Sequence, residues 1–208
     1  AIQCNGDAVC VGGVCEAAQC TGLVMLPGPP QIGVGDAPRH VAMGDLDADG
    51  DLDMVIANFG PNTVSVLLNT GTGTFTRDDH DVGSDPRSVA IADMNTDGDL
   101  DVVVANTNSG TVSVLMNDQG SGTFGAAQTL SGGANPWTVA VADLDMDGKP
   151  DIVVSDASAA NLVHVLYQSA FGFNLTSYPT GTSSRWATVG DVDGDGNVDI
   201  IVAGYGTN

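Results

Sequence analysis

Apolar positions along this chain fall into short patterns that recur. HVAMGD (40–45), SVAIAD (88–93), TVAVAD (138–143) and WATVGD (186–191) alternate apolar with small or polar residues. After an acidic stretch, each is followed by an apolar run: MVIAN (54–58), VVVAN (102–106), IVVSD (152–156) and IIVAG (200–204). The first three repeats add a third pattern, TVSVLLN (63–69), TVSVLMN (111–117) and LVHVLYQ (162–168). A glycine turn carrying Phe comes next, as GTGTF, GSGTF or SAFGF, and then a more polar stretch. Runs this short, rich in Val and Ile and bounded by Gly, Asn, Asp and Ser, predict β-strands. No segment keeps an apolar period of 3.6 over ten residues, so helix is not expected.

Each repeat thus predicts four strands in roughly fifty residues, the pattern of propeller blades. The expected fold is all-β: a β-propeller of about four four-stranded blades after a small disulfide-rich N-terminal segment. A β-solenoid is the alternative, although its turns are usually shorter than this repeat. The expected division is 1–20 for the cysteine-rich segment and 21–208 for the repeats.

Between the first two strands of each repeat lies a nine-residue acidic stretch: DLDADGDLD (45–53), DMNTDGDLD (93–101), DLDMDGKPD (143–151) and DVDGDGNVD (191–199). Their starts are 48, 50 and 48 residues apart. The chain has 25 Asp and one Glu, Glu16, and 17 of those Asp lie in these four stretches. A surface made acidic for solubility alone would use both acids, so the bias points to cation loops. Asp at positions one, three and five brings short-armed carboxylates onto a tight turn. Position seven offers a backbone carbonyl, and Asp at position nine closes the site. Glycine at position six permits the bend. Ligands that are all oxygen, in a flexible loop, suit Ca²⁺ better than Mg²⁺. The loop is not an EF-hand: position twelve is Ile56, Val104, Val154 or Val202, within a strand, where that motif needs a Glu.

The pattern VAxxDxDxDGxxDxxVAN…G…F resembles the FG-GAP/VCBS repeat family, which includes the integrin α-chain propeller. The likeness covers about residues 21–208. It implies calcium-binding blades, with each loop joining the innermost strand to the second. It also implies about four Ca²⁺ per chain. The implied ligands are Asp45, Asp47, Asp49 and Asp53; Asp93, Asn95, Asp97 and Asp101; Asp143, Asp145, Asp147 and Asp151; and Asp191, Asp193, Asp195 and Asp199. The carbonyls of Asp51, Asp99, Lys149 and Asn197 would serve position seven.

Charge and cysteine narrow the setting. Net charge is −21 with five Lys plus Arg, which argues against nucleic acid or anionic membrane as partner. No run of eighteen apolar residues appears, so no transmembrane segment is expected. Cys4, Cys10, Cys15 and Cys20 all fall in the first twenty residues, without a CxxC pair or a nearby His. Two disulfides explain them better than zinc, which implies an oxidising compartment. Extracellular calcium is millimolar and would fill weak loops there. The first residue is Ala1, so the mature chain is expected to be processed.

The fourth repeat stops at AGYGTN, where the others continue with a third strand. TGLVML (21–26) and QIGVG (31–35) resemble a third and a fourth strand, and are expected to pair beside DIIVAGYG (199–206). Three closures follow: within one chain, head to tail between chains, or within a longer propeller.

The expected protein is not an enzyme. His40, His80 and His164 show no Ser or Cys partner pattern, and the clustered Asp are already assigned to calcium. Arg39, Arg87, Trp137 and Arg185, with Trp186 beside, share one phase just before the innermost strand. They either form an anion or sugar site at the channel mouth or pair with acids such as Asp36 and Asp85. The expected role is an extracellular binding or adhesion module for a protein or carbohydrate ligand at the cell surface. The alternatives are a self-assembling subunit of a surface layer or filament, paired with copies of itself, and a carbohydrate-binding lectin.

Overall fold

The structure is a computed structural model and describes residues 9–11, 14–16, 32–181 and 183–205. The chain divides into two compact units, Ala1–Gly33 and Val34–Asn208. In the first unit, β1 (Val9–Val11) and β2 (Val14–Glu16) form an antiparallel pair that sets Cys10 opposite Cys15 along the backbone. Cys4 and Cys20, and hence the expected disulfides, lie outside the described residues.

The second unit is all-β, and the described residues contain no helix. Three sheets are four-stranded meanders. They are β3 to β6 (Pro38–Gly44, Asp53–Asn58, Thr63–Asn69, Phe75–Asp81), β7 to β10 (Pro86–Ala92, Asp101–Asn106, Thr111–Leu115, Gln128–Ser131), and β11 to β14 (Pro136–Ala142, Asp151–Asp156, Leu162–Ser169, Gly172–Pro179). A fourth sheet pairs β15 (Ser183–Gly190) with β16 (Asp199–Tyr205). The first strands of successive sheets adjoin, β3 to β7 to β11 to β15, as the inner strands of propeller blades do.

The apolar runs are unbroken because the middle strands are covered on both faces. Residue direction alternates along a strand. Val102 and Val104 on β8 therefore face the first sheet and join Val55, Ala57, Val64, Val66 and Val89 in one core. Val103 and Ala105 face the third sheet and join Val139, Ile152, Val154 and Leu166. A third core, of Val153, Val163, Val165 and Ala187, joins the third sheet to the fourth. Backbone bonds to side chains stitch the same joints. Val89 N–H donates to His40 Nδ1 (3.3 Å), Val139 N–H to Ser88 Oγ (3.3 Å), and Ala187 N–H to Thr138 Oγ1 (3.0 Å).

Val41 and Met43 on β3 occupy the positions of Val89 and Ile91 on β7. Val89 is 2% exposed, whereas Val41 is 50% and Met43 64% exposed. The face of β16 carrying Ile201 and Ala203 is also exposed, although its counterparts Val55 and Ala57 are buried.

The expected outer half-blade departs from this picture in part. Residues 21–31 lie outside the described residues. Residues 32–35 form no strand. Gly35 lies against the Asn58 side chain, and Phe59 and Gly60 N–H donate to Ala37 and Asp36 carbonyls. A tight turn with Ala37 at φ 53° thus ties residues 35–37 to the end of β4. The fourth sheet therefore shows two strands among the described residues, where four were expected.

Leu115 is fully buried between the first two sheets. Leu115→Ala should lower unfolding free energy by about 2–5 kcal/mol. Leu175→Ala, on the exposed outer strand β14, should change it by no more than about 0.5 kcal/mol. Urea titration of both variants checks the pair, and equal effects would contradict this packing.

Candidate metal centre

Each acidic stretch forms the turn between the first two strands of its sheet. Two positions per loop adopt a left-handed backbone. Position six does so with glycine, at φ 92°, 97°, 84° and 89° for Gly50, Gly98, Gly148 and Gly196. Position four also does so, in Ala48, Thr96, Met146 and Gly194. Side-chain-bearing residues held there cost roughly 1–3 kcal/mol each, so the loops sustain local strain.

Two anchors hold each loop. Position two is the first: Leu46 and Met94 are buried in the cores between sheets, and Leu144 packs against the third core. Position nine is the second. Asp53 is fully buried, with Oδ2 accepting Leu46 N–H and Oδ1 accepting Asn69 N–H, both at 2.7 Å. Asp101 bonds Met94 N–H (2.7 Å) and Asn117 N–H (2.8 Å) in the same way. Asp151 bonds Leu144 N–H (3.0 Å) and Gln168 N–H (2.8 Å). Asp199 accepts Val192 N–H at 3.0 Å. In the first three sheets one carboxylate therefore ties the loop to the third strand. Third-strand ends reach back to the preceding loop: Asn117 Nδ2 donates to Leu46 O (2.7 Å) and Gln168 Nε2 to Met94 O (3.0 Å).

The structure gathers positions one, three and nine. Asp45, Asp47 and Asp53 each place a carboxylate oxygen within 4.8 Å of the others, as do Asp143, Asp145 and Asp151, and Asp191, Asp193 and Asp199. Asp45 Oδ1 is buried and has no hydrogen-bond partner. Asp47 is pushed above the usual carboxylate range by burial and by Asp53, Asp49 and Asp45. Burial raises Asp101 and Asp151 too, against the pull of their backbone donors. In the second loop Asn95 stands at position three, and its Nδ2 donates to Asp97 Oδ2 (2.8 Å).

Position five lies outside these groups. Asp49, Asp97, Asp147 and Asp195 each accept the N–H of position seven, from Asp51, Asp99, Lys149 and Asn197 respectively. Asp147 also pairs with the Lys149 ammonium, which holds its carboxyl below the usual range.

The Arg/Trp phase proves to be a row of β-bulges. Pairing shifts between Pro38 and His40, Pro86 and Ser88, Pro136 and Thr138, and Ser184 and Trp186, leaving Arg39, Arg87, Trp137 and Arg185 as the extra residues. A bulge re-aims the side chain it carries. Arg87 lies 3.7 Å and Arg185 5.2 Å from the Trp137 ring centre. Arg185 is also 4.3 Å from Tyr205, and Arg39 is 4.7 Å from Phe59. The His40 and Trp186 ring centres are 6.2 Å apart. Arg87 meets Asp85 at 3.5 Å, as one expectation had it. Asp36 is not shown paired with Arg39; the Asp36 carbonyl takes Gly60 N–H.

The histidine expectation needs correction. Ser177 Oγ lies 2.8 Å from His164 Nδ1, and Asp156 Oδ2 lies 3.0 Å from His164 Nε2. The partner was hidden because it depends on the pairing of β13 with β14, which sets His164 opposite Ser177. The same places in the first sheet hold a chain of bonds from Asn58 through Ser65 to Asp79 (2.8 and 2.7 Å). The second sheet repeats its first link, Asn106 to Ser113, at 2.9 Å. This array is thus the third sheet's version of a recurrent interstrand brace. Burial works against ionisation of Asp156, but bonds from His164, Ser158 and Ala134 outweigh it and depress its pKa.

A model of the FG-GAP-like repeat matches residues 45–104 and 93–154, together more than half of the sequence. The chain belongs to the FG-GAP-like repeat family. No curated protein matches it. Among solved structures, Kuenenia stuttgartiensis hydrazine synthase superposes with a TM-score of 0.53 at 19% identity, covering 83% of this chain and 49% of that one. This FG-GAP-like chain thus spans about half of that protein, and the likeness concerns fold alone. BBS1N in complex with ARL6DN covers 83% of this chain and 78% of its own at 14% identity, but its TM-score of 0.34 is too low to support an argument.

Removing the closing carboxylate should cost stability even without metal, because it strands two backbone donors at about 1–3 kcal/mol each. Asp151→Ala should therefore destabilise the protein in EGTA, whereas Asp145→Ala, which is exposed, should not. Urea unfolding in chelator distinguishes them. Equal stabilities would remove the anchoring role.

Proposed function

We propose that this FG-GAP-like chain is a non-enzymatic, calcium-binding propeller module that works outside the cell and presents a binding surface on a metal-stiffened scaffold. The observation that carries the reading is the convergence of three carboxylates in three separate loops, with Asp45 Oδ1 buried and lacking any partner. An oxygen-only donor set with a bend at position six fits calcium. Asp45, Asp47 and Asp53 would hold the ion in the first loop, and the equivalent residues in the others. Asp49, Asp97, Asp147 and Asp195, with the carbonyls of Asp51, Asp99, Lys149 and Asn197, would complete the shells. Bound calcium would neutralise the clustered charge and lock the turn. The extracellular setting rests on the four cysteines and on the abundance of calcium there. No helix among the described residues is long and apolar enough to cross a membrane.

The Asp156–His164–Ser177 array supports the absence of catalysis. Its counterparts in the first two sheets brace strands with Asn and Ser, and the His164 ring is buried behind the outer strand.

A second reading, association with copies of itself, is favoured by one observation. The exposed Val41–Met43 face and the exposed Ile201–Ala203 face are the two halves of the joint that recurs between the sheets. Particle size with calcium, and then with chelator, tests it.

Calcium should raise the melting temperature and EGTA should lower it steeply. A site at hundredfold excess over its Kd adds about 2.7 kcal/mol. The second loop, with Asn95 in place of an acid, should release its ion first as calcium is withdrawn. A melting temperature indifferent to EGTA would sink the calcium reading.

A further inference from the structure

Of five basic side chains in a chain of net charge −21, Arg77, Lys149 and Arg87 have carboxylate partners, in Asp79, Asp147 and Asp85. Arg39 and Arg185 have none among the described residues, although Asp outnumbers Arg and Lys fivefold. Both lie on aromatic rings instead. The loops cannot supply partners. Arg39 and Asp45 stand at opposite ends of β3, about 20 Å apart at the usual rise per residue.

We propose that the bulge row is a receptor for a sugar carboxylate, with Arg185 as its anion-binding group. The inference rests on the binding-module reading and names the ligand class. The bulge at Arg185 turns its side chain out of the sheet pairing and onto Trp137 and Tyr205. A guanidinium that stacks on aromatic faces keeps its in-plane N–H edge free, and that edge matches a carboxylate with two parallel bonds. Arg87, held by Asp85 and lying on the same Trp137, fixes the indole.

The neighbouring rings point to the sugar part of the ligand. Tyr205, over which the Arg185 guanidinium lies, is 67% exposed, and Trp186, the next residue along β15, is 52% exposed. Aromatic faces beside a fixed charge suit a compact ring that carries one acid group and an apolar C–H face. A hexuronate has both features. An extended polyanion would be repelled by the acidic remainder of the chain.

The test uses the whole chain in calcium, with methyl β-glucuronide as probe and methyl β-glucoside as its uncharged counterpart. The chain has two Trp, so the indole N–H signals of Trp137 and Trp186 report the site directly in an ¹⁵N NMR titration. The glucuronide should shift them saturably, and the glucoside should bind about tenfold or more weakly. Arg185→Gln should abolish the preference for the charged sugar, and Arg185→Lys should restore it only in part. Both variants should keep wild-type melting in calcium, because Arg185 is exposed. Equal binding of the two sugars, or glucuronide binding that survives Arg185→Gln, would overturn the proposal. Acetate binding as tightly as the glucuronide would overturn its sugar component. Loss of sugar binding with calcium-dependent melting intact would count against this site alone, leaving the binding-module reading in place.

Discussion

One buried carboxylate in each of the first three repeats carries the architecture. Asp53, Asp101 and Asp151 are fully enclosed, and each accepts one N–H from the start of its loop and another from the end of the third strand. A buried ionised group is tolerated only when its lone pairs are satisfied. These residues therefore demand that the loop, the second strand and the third strand come together in one arrangement. The position-two side chain follows from it. With its N–H bound by the aspartate, Leu46 or Met94 is directed into the joint between neighbouring sheets. Acidic loop and hydrophobic core are thus ends of the same constraint.

From that constraint the two edges of the sheets acquire different chemistry. At one edge the turns collect acids, whose mutual repulsion a divalent cation would relieve. At the other, bulges interrupt pairing just where the inner strand begins, and the extra residues are Arg or Trp. The inner strand, seven or eight residues long, keeps the two apart. Separation by about two screening lengths at 0.1 M salt lets one chain carry an acidic cluster and a row of arginines without mutual neutralisation.

Much of this was legible because repetition multiplies weak local signals. A single DxDxDG is ambiguous, whereas four at one phase, each between β patterns, identify strands, loops and family together. Hidden features depended on pairing across strands. The shift that makes Arg39 or Arg185 a bulge is a property of two strands, not of either sequence. Ser177 meets His164 only through the register of β13 and β14. Position two of the loops was readable in principle, as Leu46, Met94, Leu144 and Val192 are all apolar within an acidic run. Position five was read as a ligand from spacing, yet its carboxylate also satisfies the turn's own N–H, a competition that spacing cannot reveal. The segment QIGVG looked like a strand by composition, but the turn at Ala37 draws its end toward Asn58.

The claim on which the account rests is that these loops are built for calcium. Equilibrium dialysis against calcium in excess magnesium measures it most directly, by counting ions bound per chain. The account predicts about four calcium ions, since magnesium demands a stricter octahedron than these loops present, and about one fewer in Asp45→Asn. A chain that retains no calcium under these conditions, or that exchanges it freely for magnesium, would contradict the account.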